Sequence, residues 1–237
     1  ALPVVDAGNV LVGIVTIDDV MDVQAEETTE DFHKIVAVDA LEQPYFATSQ
    51  WRMLGKRLPW LCLLFAAELL TVLALMRFER GLDAVLFALI VLFMPLINAT
   101  AGNAGAQMAG LVIRGLAVHE MAPGDWWRVL TRELALGAGM GIALGLLAVG
   151  ASRLLFEIVP PGGYEGGSWT HSFGVGVSVA TAVMVANLIG AMVPMLFKKI
   201  GLDPAVTSGP FLAALMDITG VMIYFTVASL VLQAWGG

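Results

Sequence analysis

The sequence predicts an all-α integral membrane protein. Three observations lead there. Apolar residues make up 58% of the 237 positions and charged residues 14%, a balance a soluble domain of this size does not keep. Five stretches are apolar for the roughly 20 residues that a helix needs to cross a hydrocarbon core of about 30 Å. The six tryptophans, Trp51, Trp60, Trp126, Trp127, Trp169 and Trp235, fall at the ends of those stretches, where indole rings prefer the membrane interface.

From the N-terminus, "LVGIVTI" alternates as a strand and passes through Thr16 and Asp18, either of them a plausible N-cap, into a short helix "DDVMDVQ". One strand and one helix cannot hold a core. The opening residues have no basic segment ahead of a long apolar one, so they read as the interior of a soluble domain and not as a signal peptide. Residues 1–42 hold ten acids and one base, Lys34, whereas the rest holds ten acids and eleven bases. The net charge of -8 is therefore local to this segment, a field that attracts cations and repels nucleic acid. Residues 42–58, amphipathic and basic at their end, suit a connecting helix at the membrane interface. The organisation expected is 1–25 as a soluble remnant, 26–57 as an acidic segment with the connecting helix, and 58–237 as the membrane domain.

The five spans are placed at 58–78, 84–113, 134–158, 172–197 and 210–235. Flanks on the side of the N-terminal segment carry Arg52, Lys56, Arg57, Arg114, Arg128, Arg132, Lys198 and Lys199, and the other side only Arg77, Arg80 and Arg153. The excess puts the N-terminus in the cytoplasm and the C-terminus outside the cell membrane. Residues 159–169, "VPPGGYEGGSW", are then an external loop.

The fifth span contains Asp217. An ionised carboxylate costs several kcal/mol in lipid and is tolerated facing protein, water or an ion; the alternative is a protonated acid bonded to a neighbouring helix. Upstream, "TSGP" (207–210) is expected to break the helix at Pro210 and free carbonyl oxygens. In the second span Pro95 should introduce a kink, and Asn98, Thr100, Asn103 and Gln107 are read as one polar face, either a conduit or polar glue between helices. Glu68, in the first span, is either a second ion ligand or a lateral hydrogen-bonding group. Gly137, Gly141 and Gly145 form a packing ridge. A carboxylate among amides and carbonyls suits a hard cation, magnesium above all, which keeps several waters. His33, His119 and His171 are far apart in sequence and Cys62 is alone, which argues against a transition-metal site and a disulfide framework. Neither HExxH nor a phosphate loop occurs, and "GAGMGIALG" lies inside an apolar helix instead of after a strand, which leaves no enzyme motif.

"NATAGNAGAQMAGLVIRGLA", "ANLIGAMVPMLFKKIGLDPAVTSGPF" and "LMDITGVMIYF" resemble the transmembrane domain of the MgtE-type magnesium channels and transporters, and "LPVVDAGNVLVGIVTIDDVMDV" resembles the end of the preceding CBS module. The likeness covers essentially the whole chain. It implies a homodimer with five membrane helices per subunit and an ion path at the dimer interface, lined by the second and fifth helices. Asp217 then matches the aspartate that holds hydrated magnesium, Ala213 a position whose carbonyl lines that site, and Gly209 one often filled by asparagine. Asn98, Asn103, Gln107 and Pro210 would line the path. Asp19, Asp22, Glu27, Glu30 and Asp31 match acids that bind regulatory magnesium, with Asp203 an acid beneath the pore, and 42–58 matches the plug or connecting helix. The family's N domain and most of its CBS pair have no counterpart in these residues, a departure that bears on gating and on nucleotide binding, for which "GIVTIDD" retains a threonine and an aspartate. The alternative to a channel is a proton- or sodium-coupled exchanger using Asp217 or Glu68.

Overall fold

A computed structural model describes residues 1–36, 38–39, 41, 45–80, 84–158, 169–207 and 209–235. It divides into two compact units, Ala1–Trp60 and Leu61–Gly237.

The first unit opens with an antiparallel hairpin of β1 (Leu2–Val5) and β2 (Leu11–Val15), in register Leu2 to Val15 with an irregularity between Val4 and Val5. Asp6 makes the turn: its Oδ1 accepts from the amides of Gly8 (2.8 Å) and Val10 (2.9 Å), an aspartate bonding its own backbone in place of a ladder. Sequence pattern predicted β2 alone, because four residues broken by Pro3 give too short an alternation to read. Helix α1 (Ile17–Ile35) is far longer than the short helix expected. It continues through the acidic run with none of its residues buried. At its start Asp19 Oδ2 accepts from both the amide and the hydroxyl of Thr16, each at 2.7 Å. A 3-10 turn at Tyr45–Ala47 precedes α2.

Helix α2 (Gln50–Glu79) is continuous. The connecting helix expected at 42–58 is therefore not separate: residues 42–44 lie outside the described residues, and 50–58 form the first turns of α2. Pro59 sits inside α2, where it removes only the bond to the carbonyl of Gly55.

The second unit is a helical bundle: the later part of α2, then α3 (Ala84–Ala117), α4 (Trp126–Ile158), α5 (Trp169–Lys199) and α6 (Gly209–Trp235). Among the described residues, four helical stretches are long and apolar enough to cross a membrane: Gln50–Glu79, Pro123–Ile158, Trp169–Lys199 and Gly209–Val231. The remaining predicted span lies in α3, whose 34 residues include Pro95. The external loop expected at 159–169 falls outside the described residues apart from Trp169, which begins α5.

Helix α5 is central and packs on α3, α4 and α6. Close approach depends on missing side chains. A Cβ on Gly141 would stand 2.5 Å from the carbonyl oxygen of Ala180, and one on Gly145 would stand 2.7 Å from that of Gly176, so the predicted glycine ridge is where α4 meets α5. Between α3 and α5, a Cβ on Gly190 would collide with the carbonyl oxygen of Gly105. Around these contacts Ile97, Val183, Leu212, Met216, Val221 and Phe225 are fully buried. Helix α2 buries only Thr71 and docks through Ala74, Leu75 and Phe78, the last stacked on Phe225 with centroids 4.7 Å apart.

Candidate ion site and a second cavity

Helix α5 ends in a tight reversal that sets the start of α6. Gly201 adopts φ +81°, a conformation open to glycine, and the amide of Leu202 returns to the carbonyl of Phe197 at 2.9 Å. Asp203 Oδ1 then accepts from the amide of Ala205 (2.9 Å), capping the 3-10 turn Pro204–Val206. Helix α6 begins at Gly209. Pro210 thus stands in the first turn, where its missing N–H costs no helical bond. The expected break with freed carbonyls is corrected accordingly, since a helix start exposes amide donors and not carbonyls.

Helices α2, α3 and α6 line a cavity of about 650 Å³. Pro95, Asn98, Gly102 and Asn103 line it from α3, and Gly209, Ala213 and Asp217 from α6. Glu68 and Thr71 come from α2. Gly209, Ala213 and Asp217 are therefore brought together with Pro95, Asn98 and Asn103 of the second span, and Glu68 joins them. The Asp217 carboxyl lies beside Glu68 and Asn98 in this lining. Asn98 Oδ1 packs against Gly220 and has no hydrogen-bond partner, as is true of Thr71 Oγ1. Two carboxyl groups side by side at partial burial repel when ionised, and a bound cation relieves that repulsion. Among the described residues no lysine, arginine or histidine lines the cavity. Ala99, Asn103 and Ala213 are exposed, so one wall is open.

Gln107 is not in this cavity. At about 100° per residue, nine residues carry it to the side of α3 opposite Asn98, so the expected single polar face does not exist. Thr100 turns its hydroxyl back to the carbonyl of Leu96 at 2.6 Å. Pro210, exposed, is also absent from the lining.

Gln107 lines a second cavity of about 560 Å³ between α3, α4 and α5, with Arg114, Arg128, Arg132, Glu133 and Asn187. Glu133 and Asn187 are 5% and 2% exposed, and Asn187 Nδ2 donates to Glu133 Oε2 (3.0 Å) and to its backbone oxygen (3.2 Å). Sequence reasoning missed this pair; a glutamate inside a long apolar helix was the available signal.

Asp19, Asp22, Glu27, Glu30 and Asp31 are exposed along α1, with Glu30 paired to Lys34 at 2.8 Å. Among the described residues no three His, Cys, Asp or Glu side chains converge closely enough to hold a metal.

Long apolar helices packed through glycines, with two carboxyl groups facing one open cavity, define a polytopic membrane protein. Residues 94–227 match the MgtE family of divalent cation transporters. The chain is 40% identical over 238 residues to the magnesium transporter MgtE of Thermus thermophilus, covering 98% of this chain and 49% of that protein. It is 34% identical over 237 residues to the Enterococcus faecalis transporter (98% and 48%) and 32% over 229 residues to that of Bacillus subtilis (97% and 48%). The chain belongs to the MgtE family, whose members are membrane transporters and not enzymes. It spans about half the length of these curated relatives.

Proposed function

We propose that the chain forms the membrane part of a magnesium channel, in which Asp217 holds a hydrated magnesium ion and the ion passes between two copies of the chain. The observation that carries this reading is the placement of Asp217 beside Glu68 and Asn98 in a cavity whose lining, among the described residues, holds no base. Magnesium sheds water reluctantly and is held by one or two carboxylates plus waters, which a cavity of this volume accommodates. Asn103 and the Ala213 carbonyl supply further acceptors to those waters. The open wall at Ala99, Asn103 and Ala213 suits closure by a second copy, giving a homodimer with two Asp217 side chains on one path. Five spans per subunit follow if α3 crosses with the other four, with the N-terminus in the cytoplasm and the C-terminus outside the cell membrane. Inward movement is driven by the membrane potential at about 2.3 kcal/mol per charge per 100 mV, so a divalent ion needs no coupled reaction.

Gating in this reading is by cytoplasmic magnesium at Asp19, Asp22, Glu27, Glu30 and Asp31. These acids repel one another along α1 and are bridged by magnesium only against facing groups, because alone they do not converge. Residues 1–25 form the tail of a CBS domain, and nucleotide binding belongs to the complete domain. A second reading, proton-coupled exchange, is favoured by one observation, the contact of two carboxyl groups, which is suited to passing a proton as the metal leaves.

The test is magnesium flux into liposomes by the parent, Asp217→Ala and Asp217→Asn. Both variants are expected to lose tenfold or more, about 1.4 kcal/mol in the barrier. Parent-like flux in both would remove Asp217 from the path. Flux that runs against a magnesium gradient when a pH gradient is imposed would favour exchange.

A further inference from the structure

The second cavity is not used by the ion path, and it has a polarity of its own. On α4, Arg128, Arg132, Leu136 and Met140 line it at intervals of four residues, one stripe of a helix. On α3 the order is mirrored, with Arg114 beside the α4 arginines and Leu111, Met108 and Ala104 further along. One end of the cavity is therefore guanidinium and the other mainly apolar, with Gln107 the polar side chain there. Leu111, Leu136 and Met140 are exposed, and Trp126 and Trp127, also exposed, start α4 at the arginine end.

Three acids also line the cavity, and each has a partner. Glu120 pairs with Arg114 at 3.5 Å, Asp125 Oδ2 accepts from the amide of Ala122 at 2.9 Å, and Glu133 is held by Asn187. Arg128 and Arg132 have no carboxylate partner among the described residues. Two planar forks are left, and these match phosphate oxygens bidentately.

We propose that this cavity holds a phospholipid with an anionic headgroup, its phosphate on Arg128 and Arg132 and an acyl chain along Leu136, Met140 and Leu111. The charge gradient along both helices selects a lipid over a soluble anion, which would leave the apolar end exposed. Basic pockets between membrane helices on the cytoplasmic side take such headgroups. The inference rests on the membrane placement of α3 and α4 and not on the ion path, so Asp217→Ala should leave lipid retention unchanged while flux is lost.

The test is native mass spectrometry of the full chain after incubation with phosphatidylglycerol or phosphatidylcholine vesicles. The parent should retain phosphatidylglycerol in preference, and Arg128→Gln with Arg132→Gln should lower that retention on the order of tenfold at an unchanged melting temperature. Lys198→Gln with Lys199→Gln, which removes two charges outside the cavity, should leave it at the parental level. Equal retention of both lipids by the parent, retention of neither, undiminished retention by the arginine variant, or an equal loss in the lysine variant would each overturn the proposal.

Discussion

Asn98 Oδ1 occupies the space in which a Cβ of residue 220 would stand, so α3 meets α6 at this level only because that position is Gly220. The same Asn98 side chain reaches Asp217, and backbone packing is thereby tied to the candidate ion site. Gly220→Ala should push Asn98 off Asp217 and lower flux several-fold. The clash and the lost contact are one event, so Gly220→Ala in an Asn98→Ala background should add little, the non-additivity expected of residues in contact. Liposome flux of the two single variants and the double variant measures it. Full additivity would separate Gly220 from the site.

Glu68 contributes the second carboxyl group. In a channel, Glu68→Gln removes part of the negative field and should lower apparent magnesium affinity by roughly threefold to tenfold, the range of one carboxylate at moderate effective dielectric, leaving maximal flux near the parent. In an exchanger the same change should abolish pH dependence. Flux against magnesium concentration at two pH values distinguishes them.

Asn187 is the side chain that satisfies the buried Glu133. Asn187→Ala leaves a buried carboxyl group unpartnered, at a cost of about 1–3 kcal/mol. The expected result is a clear fall in the melting temperature in detergent. Glu133→Gln, which keeps a hydrogen-bonding partner for Asn187, should be milder.

At the start of α1, hydrogen bonds from the Thr16 amide and then its hydroxyl hold the Asp19 carboxyl below the usual aspartate range. A carboxyl group with a depressed folded pKa adds stability above its unfolded value, and that contribution is lost as pH falls through the folded value. The first turn of α1 should therefore be firm at neutral pH and fray only in acid below the usual aspartate range. Amide exchange at Thr16 and Val20 follows this directly, and Asp19→Asn should remove the pH dependence.

Much of the bundle was legible because hydrophobicity is local: the apolar runs mark their own helices, and Gly137, Gly141 and Gly145 announce their contact by spacing alone. Asp217 stood out for the same reason, a charge where none is cheap. The partnership of Glu68 with Asp217 was not legible, because it is made by tertiary packing between the first and last membrane helices. Gln107 was misplaced by counting polar residues without following the helix turn, and Pro210 by treating a helix start as a helix break. The length of α1 was hidden because its acidic run has no apolar stripe, although its glutamates favour a helix.

The Gly105 carbonyl lies where any methyl on residue 190 would fall, and it works as a dowel. Sliding α3 along α5 by one position would drive a side chain into that oxygen, so Asn98 and Asn103 are mounted on a fixed frame. Helix α2, with Thr71 its one buried residue, has no such fastening. Adjustment of the cavity then falls to the Glu68 carboxyl on α2, while Asp217 and the amides stay on the packed helices.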